Sequence, residues 1–208
     1  LGAIIRWLEG EGEKHLVVLF QNPSEMRPAG GFLGSYADIA LTKNGLQEIK
    51  VWDIYDPDGQ FFLNVVPPRE LQGVTPRWGA RDANWFFDFP TSARKVAEFL
   101  EKSKIYAERG LTFDGVLALN ANVIKTLLRI TGPIKLEEYQ LMITDENFLP
   151  EIQAQVESGK DNQAGEPKKI LKVLSPLLIQ KLGALDADQK QTLFRALQEH
   201  FEKKDLMF

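Results

Sequence analysis

Leu16-Val17-Val18-Leu19-Phe20-Gln21 runs into Asn22-Pro23-Ser24-Glu25-Met26-Arg27-Pro28-Ala29-Gly30-Gly31-Phe32-Leu33-Gly34, and the reading of this stretch decides the fold. The unbroken apolar run predicts a central strand covered on both faces, because a strand wet on one side alternates instead. Residues 35–42 do alternate. Lys43-Asn44-Gly45 then supplies a hairpin turn, and residues 46–52 return with Ile49 and Val51 in alternation. Residues 21–34 read as a Pro- and Gly-rich loop that holds one acid and one arginine. Turning the chain needs no such charged pair, and loops on strand scaffolds are where binding and catalytic groups are placed.

Outward from there, residues 53–79 carry many turn formers and read as a long irregular loop. Thr91 or Ser92 is placed to cap a helix through about Lys102, with Val96, Phe99 and Leu100 on one face. Residues 113–120 read as a second buried strand, followed by a helix over 121–130 that ends at Gly132-Pro133 and a short strand over 134–136. From Thr144 the pattern turns helical, over 144–156, 167–182 and 186–203, with Asp186 and Gln189 spaced as a capping box. Residues 158–166 read as a polar linker and residues 1–8 as a short apolar helix. The expected architecture is an α/β domain with a mixed central sheet and flanking helices over 1–143. A helical extension of the same domain, a C-terminal helical subdomain, covers 144–208.

At 208 residues, 44% apolar and 26% charged, the chain is ordinary for one globular domain. Its net charge of −4 argues against nucleic acid as a partner, which calls for a concentrated basic surface. It has no Cys, so thiol nucleophiles, disulfides and Cys-ligated metals are excluded. His15 and His200 are its two histidines, far apart in the chain, which argues against a His-based metal site or a Ser-His-Asp triad. The chain begins at Leu1 rather than Met, and we expect it to be a fragment of a longer protein, so that a missing upstream anchor is no evidence against a membrane protein.

Arg27 is the sharpest candidate, since its planar fork suits carboxylate or phosphate and Gly30-Gly31 lets a ligand approach the backbone. The plainer reading pairs it with Glu25 or Asp38. Arg81-Asp82, beside Asn84 and Trp85, is the second candidate, against the plainer reading of a buried ion pair that locks a loop. Arg94 follows Asp88 on the next helix and either faces the same cleft or is solvated. Asp53, Asp56 and Asp58 lack the later Glu of a calcium loop and read as turn formers. Trp78, Trp85, Phe86, Phe87 and Phe89 either line a groove for lipid or sugar or pack in the core. The Gly spacing fits neither a dinucleotide fingerprint nor a P-loop.

Several of these motifs stand in one order. They are residues 16–22, 25–36, Asp53-Ile54-Tyr55-Asp56, Arg81-Asp82-Ala83-Asn84-Trp85, Asp88-Phe89-Pro90, residues 113–119 and residues 127–133. Together they resemble the bacterial domain of unknown function family numbered four thousand and twelve, over roughly residues 16–150. That resemblance implies an envelope protein with an N-terminal membrane anchor and an extracytoplasmic domain. More distantly the pattern is similar to the LytR-CpsA-Psr family, which transfers a glycopolymer phosphate from a polyprenyl-pyrophosphate carrier to the cell wall. Those enzymes carry a Pro-Arg-Asp motif after the second hairpin strand, where this chain has Trp52-Asp53-Ile54-Tyr55-Asp56 and no arginine.

The leading expectation is therefore an extracytoplasmic, phosphotransferase-like domain for a polyprenyl-linked sugar pyrophosphate. In it Arg27 and Arg81 hold phosphate oxygens, and Asp82 or Asp88 binds Mg²⁺ or accepts the attacking hydroxyl's proton. Asn22, Gly30, Gly31, Asn84, Trp85 and Arg94 complete the substrate site. The alternative is a non-catalytic envelope module for glycan or a protein partner, with the Arg–acid pairs structural. A weaker third option is an assembly protein that docks through its C-terminal helices. Saturation of both arginines by the chain's own carboxylates would favour the module, and a deep apolar groove beside them the enzyme.

Overall fold

The computed structural model describes residues 10–61, 63–158 and 168–208. The helix expected over 1–8, and all of the 158–166 linker but Ser158, lie outside them. Seven strands and seven α-helices are seen among these residues: β1 (Lys14–Arg27), β2 (Gly30–Thr42), β3 (Gly45–Asp53), α1 (Tyr55–Gly59), α2 (Phe89–Glu101), α3 (Lys104–Ala107), β4 (Gly115–Asn120), α4 (Ala121–Thr131), β5 (Ile134–Leu136), β6 (Leu141–Ile143), α5 (Phe148–Glu157), α6 (Lys169–Gly183), α7 (Ala187–Glu202) and β7 (Leu206–Met207). A five-stranded mixed sheet runs in the order β3-β2-β1-β4-β7, and β5 pairs with β6 in a small separate sheet. This is the α/β class with a helical C-terminal part. No helix among the described residues is long and apolar enough to cross a membrane.

The chain divides into two compact units, residues 1–118 with 207–208, and residues 119–206. In the first, Val17 and Leu19 of β1 are fully buried with Leu33 and Tyr36 of β2, Ile54, Val96 and Leu100 of α2, and Tyr106. Burying each such apolar side chain contributes about 1.5–3 kcal/mol relative to leaving it exposed. Tyr36 and Tyr106 share a 2.9 Å hydrogen bond between their hydroxyls inside this core, and burial drives both phenols far above their ordinary pKa. In the second unit α4 buries Val123, Ile124, Leu127 and Leu128, spaced as one helical face. Its end follows the sequence: Gly132 sits at φ +79 and its amide donates to Leu128 O at 2.8 Å.

The structure corrects the reading of residues 21–34 as a loop. Both strands continue through that segment, and β1 pairs with β2 as far as Arg27 opposite Gly30, leaving Pro28-Ala29 as the turn. Register shifts after Phe20 and after Asn22 absorb the irregular residues, so exposed Pro23 sits where the ladder asks for no amide. Residues 53–79 are likewise not structureless, holding α1 and a 3₁₀ turn over Arg69–Leu71. Asp88 caps α2, in place of Thr91 or Ser92, and Ser92 turns inward to exchange hydrogen bonds with the backbone of Phe86. The capping box of Asp186 and Gln189 is present at the start of α7.

Candidate functional site

Three stretches of the first unit converge. Arg27 ends β1 just before the hairpin turn, Asp58 lies near the end of α1, and Arg81 and Asp82 belong to a 3₁₀ turn over Ala80–Asp82. Asp58 caps that turn, accepting from the amides of Ala80 at 2.6 Å and Arg81 at 3.4 Å. Gly79 makes the approach feasible, because a Cβ there would meet the Asp58 carboxylate at 2.5 Å. Burial pushes the Asp58 carboxyl up, against the pull of those two amides and of Arg81.

Asp82 is the centre. Arg27 donates through Nε to Oδ1 at 3.1 Å and sets Nη2 3.0 Å from the same oxygen. Arg81 donates through Nε to the other oxygen, Oδ2, at 3.2 Å, and through Nη2 to Thr75 Oγ1 at 3.0 Å. The Arg27 guanidinium lies over the ring of Phe32 and that of Arg81 over Tyr55. Asp82 is buried, while its partners keep 20% and 30% of their side chains exposed. The arginines thus meet neither Glu25 nor Asp38 but one shared carboxylate. Both oxygens of Asp82 are engaged by guanidiniums, Oδ1 by Arg27 and Oδ2 by Arg81. Mg²⁺ requires several oxygens in close octahedral array, and two adjoining cations oppose a third. Among the described residues no group of three or more His, Asp or Glu gathers as a metal site.

The remaining expected site residues divide. Asp88 is exposed at the start of α2, where its Oδ2 accepts from the Thr91 hydroxyl at 2.6 Å and the Thr91 amide at 2.9 Å. Those two bonds hold its carboxyl below the usual range. Arg94 donates to the same Thr91 hydroxyl at 3.2 Å, and no bond links Asp88 or Arg94 to Asp82. Asn22 folds into a local turn, accepting from Ser24 N and donating to Glu25. Gly30 has φ +112, and a Cβ on Gly31 would strike the backbone of Asn22, so both serve the hairpin. Asn84 is fully buried and ties that hairpin down, its side-chain amide donating to Gly31 O at 2.7 Å while its backbone carbonyl accepts from Ala29 N at 3.3 Å. Trp85 packs against the core.

Beside Arg81 opens a small polar cleft of about 130 Å³, lined by Asp58, Thr75, Arg77, Trp78 and Arg81 with Phe61 at its back. Sequence reasoning missed Asp58, Thr75 and Arg77, taking the first for a turn former. The pairing of Asp58 with Gly79 was the one signal available, and it requires knowing that α1 packs beside the 3₁₀ turn.

The second unit has a polar centre of its own. His200 Nδ1 is 3.0 Å from Asp205 Oδ2, and its Nε2 is 2.9 Å from Thr126 Oγ1. Asn120 donates to Asp205 Oδ1 at 2.6 Å. Burial pushes the Asp205 carboxyl up, but bonds from Asn120, His200 and Asn122 outweigh it and hold the group low. The order acid, imidazole, hydroxyl is that of a hydrolase relay. Thr126 lies inside α4, however, beyond the first turn where helix amides are free to stabilise an oxyanion. The chain of bonds reads as a tie between α4, α7 and the start of β7.

Among curated proteins no sequence matches this one. A solved structure that is similar, with TM-score 0.43 and 12% identity, is that of the transcriptional regulator yvhJ from Bacillus subtilis. The match covers 93% of this chain and 99% of that one, and at this identity it extends no residue's role. The family model described as Protein of unknown function (DUF4012) matches residues 11–156, a span that holds the β1–β2 hairpin, Arg27, Asp58, Arg81 and Asp82. The chain belongs to that family.

Proposed function

We propose that this domain is a non-catalytic, glycan-binding module of the bacterial cell envelope, engaging the sugar or phosphate of a polyprenyl-linked chain rather than transferring it. The observation that carries the reading is the double engagement of Asp82 by Arg27 and Arg81. A transferase needs an acid or base and phosphate-gripping cations that are free to act, and here Asp82 is tied to both guanidiniums, which keep for a ligand only the donors that Asp82, Met26 and Thr75 do not take. What remains open is the cleft beside Arg81. Its acid, hydroxyl, guanidinium and indole groups are the types that hydrogen-bond and stack on sugar rings. Its volume falls well below the roughly 300–1,000 Å³ of pockets that enclose a drug-sized ligand. That size suits one sugar unit and does not suit a prenyl tail. The envelope setting, and an anchor in a longer chain, rest on the resemblance to envelope proteins.

Two measurements decide between module and enzyme. Titration with short cell-wall glycan fragments, with and without phosphate, is expected to perturb Thr75, Arg77 and Arg81. Arg77→Ala, a change at an exposed side chain, is expected to weaken that binding about tenfold, the loss of one charged hydrogen bond. Incubation with a polyprenyl-pyrophosphate-linked glycan and an acceptor is expected to give no transfer. Transfer by the unaltered domain that disappears in Arg27→Lys would establish the phosphotransferase instead.

A further inference from the structure

The segment Val65–Trp78 is a closed loop. Its neck is shut by the Trp78 amide, which donates to Val65 O at 2.9 Å. Inside, Gln72 Nε2 donates to Pro67 O at 3.0 Å, and Leu71 N to Pro68 O at 2.9 Å. Leu71, Thr75 and Trp78 are buried and pin it from beneath, so it is a compact Ω-loop with a fixed outer side. Two aliphatic side chains stand exposed on it, among the polar residues Arg69, Glu70, Gln72 and Arg77. Val66 is 72% and Val74 81% exposed, with Leu63 beside the neck at 49%. Side chains this exposed contribute almost nothing to the core, and polar residues would fold the loop as well.

Charge marks the same loop. Arg69 and Arg77 are exposed on this loop and form no ion pair among the described residues, and Glu70 is its one acid. The chain as a whole carries −4, so the loop stands out as locally basic. Exposed aliphatic side chains on one loop with two guanidiniums outside any ion pair match the boundary of an anionic bilayer, where apolar groups enter the acyl edge and cations meet headgroup phosphates.

We propose that the Val65–Trp78 loop docks the domain on an anionic lipid surface, with Val66 and Val74 entering the interface and Arg69 on the headgroups. The proposal rests on the envelope reading above and adds the surface that faces the membrane. It is tested with the 208-residue chain and sucrose-loaded vesicles, of phosphatidylcholine alone or mixed equally with phosphatidylglycerol. Sedimentation with the anionic vesicles is expected, weakening as salt is raised. Val66→Asp combined with Val74→Asp is expected to reduce it by about tenfold or more, and Arg69→Gln by about fivefold. These residues are exposed, and an unchanged near-UV circular dichroism spectrum verifies the fold of each variant. Absence of anionic-vesicle binding would overturn the proposal. So would binding indifferent to the Val66 and Val74 changes, or self-association through these residues without lipid. Arg81→Lys is expected to leave vesicle binding intact while weakening glycan binding, so the failure of one reading is told apart from failure of the other.

Discussion

Two carboxylates organise the two units, and they are held in opposite ways. Asp82 sits between two guanidiniums whose charge is fixed across the whole working pH range, one from a strand end and one from its own 3₁₀ turn. Asp205 is held by two neutral amides and an imidazole, groups that hydrogen-bond without fixed charge. The first is an ion pair and the second mainly a hydrogen-bond net. The difference teaches where each unit is sensitive. Removing a member of the first strands a charge near the core, whereas removing a member of the second leaves polar groups with other partners or water.

The largest expected effect follows directly. Asp82→Ala leaves Arg27 without its carboxylate partner and Arg81 with only the more distant Asp58, 4.0 Å away. The expected cost is about 3 kcal/mol, toward the low end for a buried pair because both arginines reach solvent. Chemical denaturation measures it. A loss below about 1 kcal/mol would mean that the guanidiniums relax into water and that Asp82 is no lock. His200→Ala deletes the links to both Asp205 and Thr126 and is expected to cost about 2 kcal/mol, two ordinary hydrogen bonds. A larger loss there than at Asp82 would reverse the comparison.

Acid sharpens the contrast with a smaller effect. The folded-state pKa of Asp205 is lowered, so between that value and the ordinary one the unfolded chain binds more protons. Its contribution is present above the ordinary carboxylate range and is lost as pH falls through it. Asp58 is raised, so its sign is opposite, and its ionisation takes stability away as pH rises through and just above that range. Denaturation curves between about pH 3 and 7 should therefore show a shallower acid loss in Asp205→Asn and a steeper one in Asp58→Asn, each by less than about 1.4 kcal/mol per pH unit. Equal slopes in the two variants would contradict the assignment. The smallest effect is expected at Arg94→Ala, under about 0.5 kcal/mol, since its hydrogen bond to Thr91 is a solvent-exposed contact.

Particular residues show how far the sequence could be read. The β2–β3 hairpin was legible because Lys43-Asn44-Gly45 lies between two alternating strands, and the structure turns there with Thr42 opposite Gly45. Residues 22–34 were misread because Pro23, Pro28 and the glycines are strand breakers in isolation, while a bulged ladder accommodates them. Arg27 and Arg81 stand out in the sequence through the oddity of charge amid Gly, Pro and aromatics. That they share a carboxylate is not legible there, since Arg27 and Asp82 lie 55 positions apart. Thr126 and His200 are 74 apart, and nothing local to either names the other.

By itself the sequence determined the elements and the family. Periodicity, turn formers and caps act over a few residues, so their energetics are written in short stretches that can be read directly. Tertiary structure alone decided what the charged residues do. A guanidinium is free for a ligand or spent on an acid according to which side chain lies within about 3 Å, and that depends on how distant strands and turns pack. The same packing turned a candidate base, Asp82, into the anchor of two arginines, and left Val66 and Val74 on the outside of a loop that the sequence showed only as irregular.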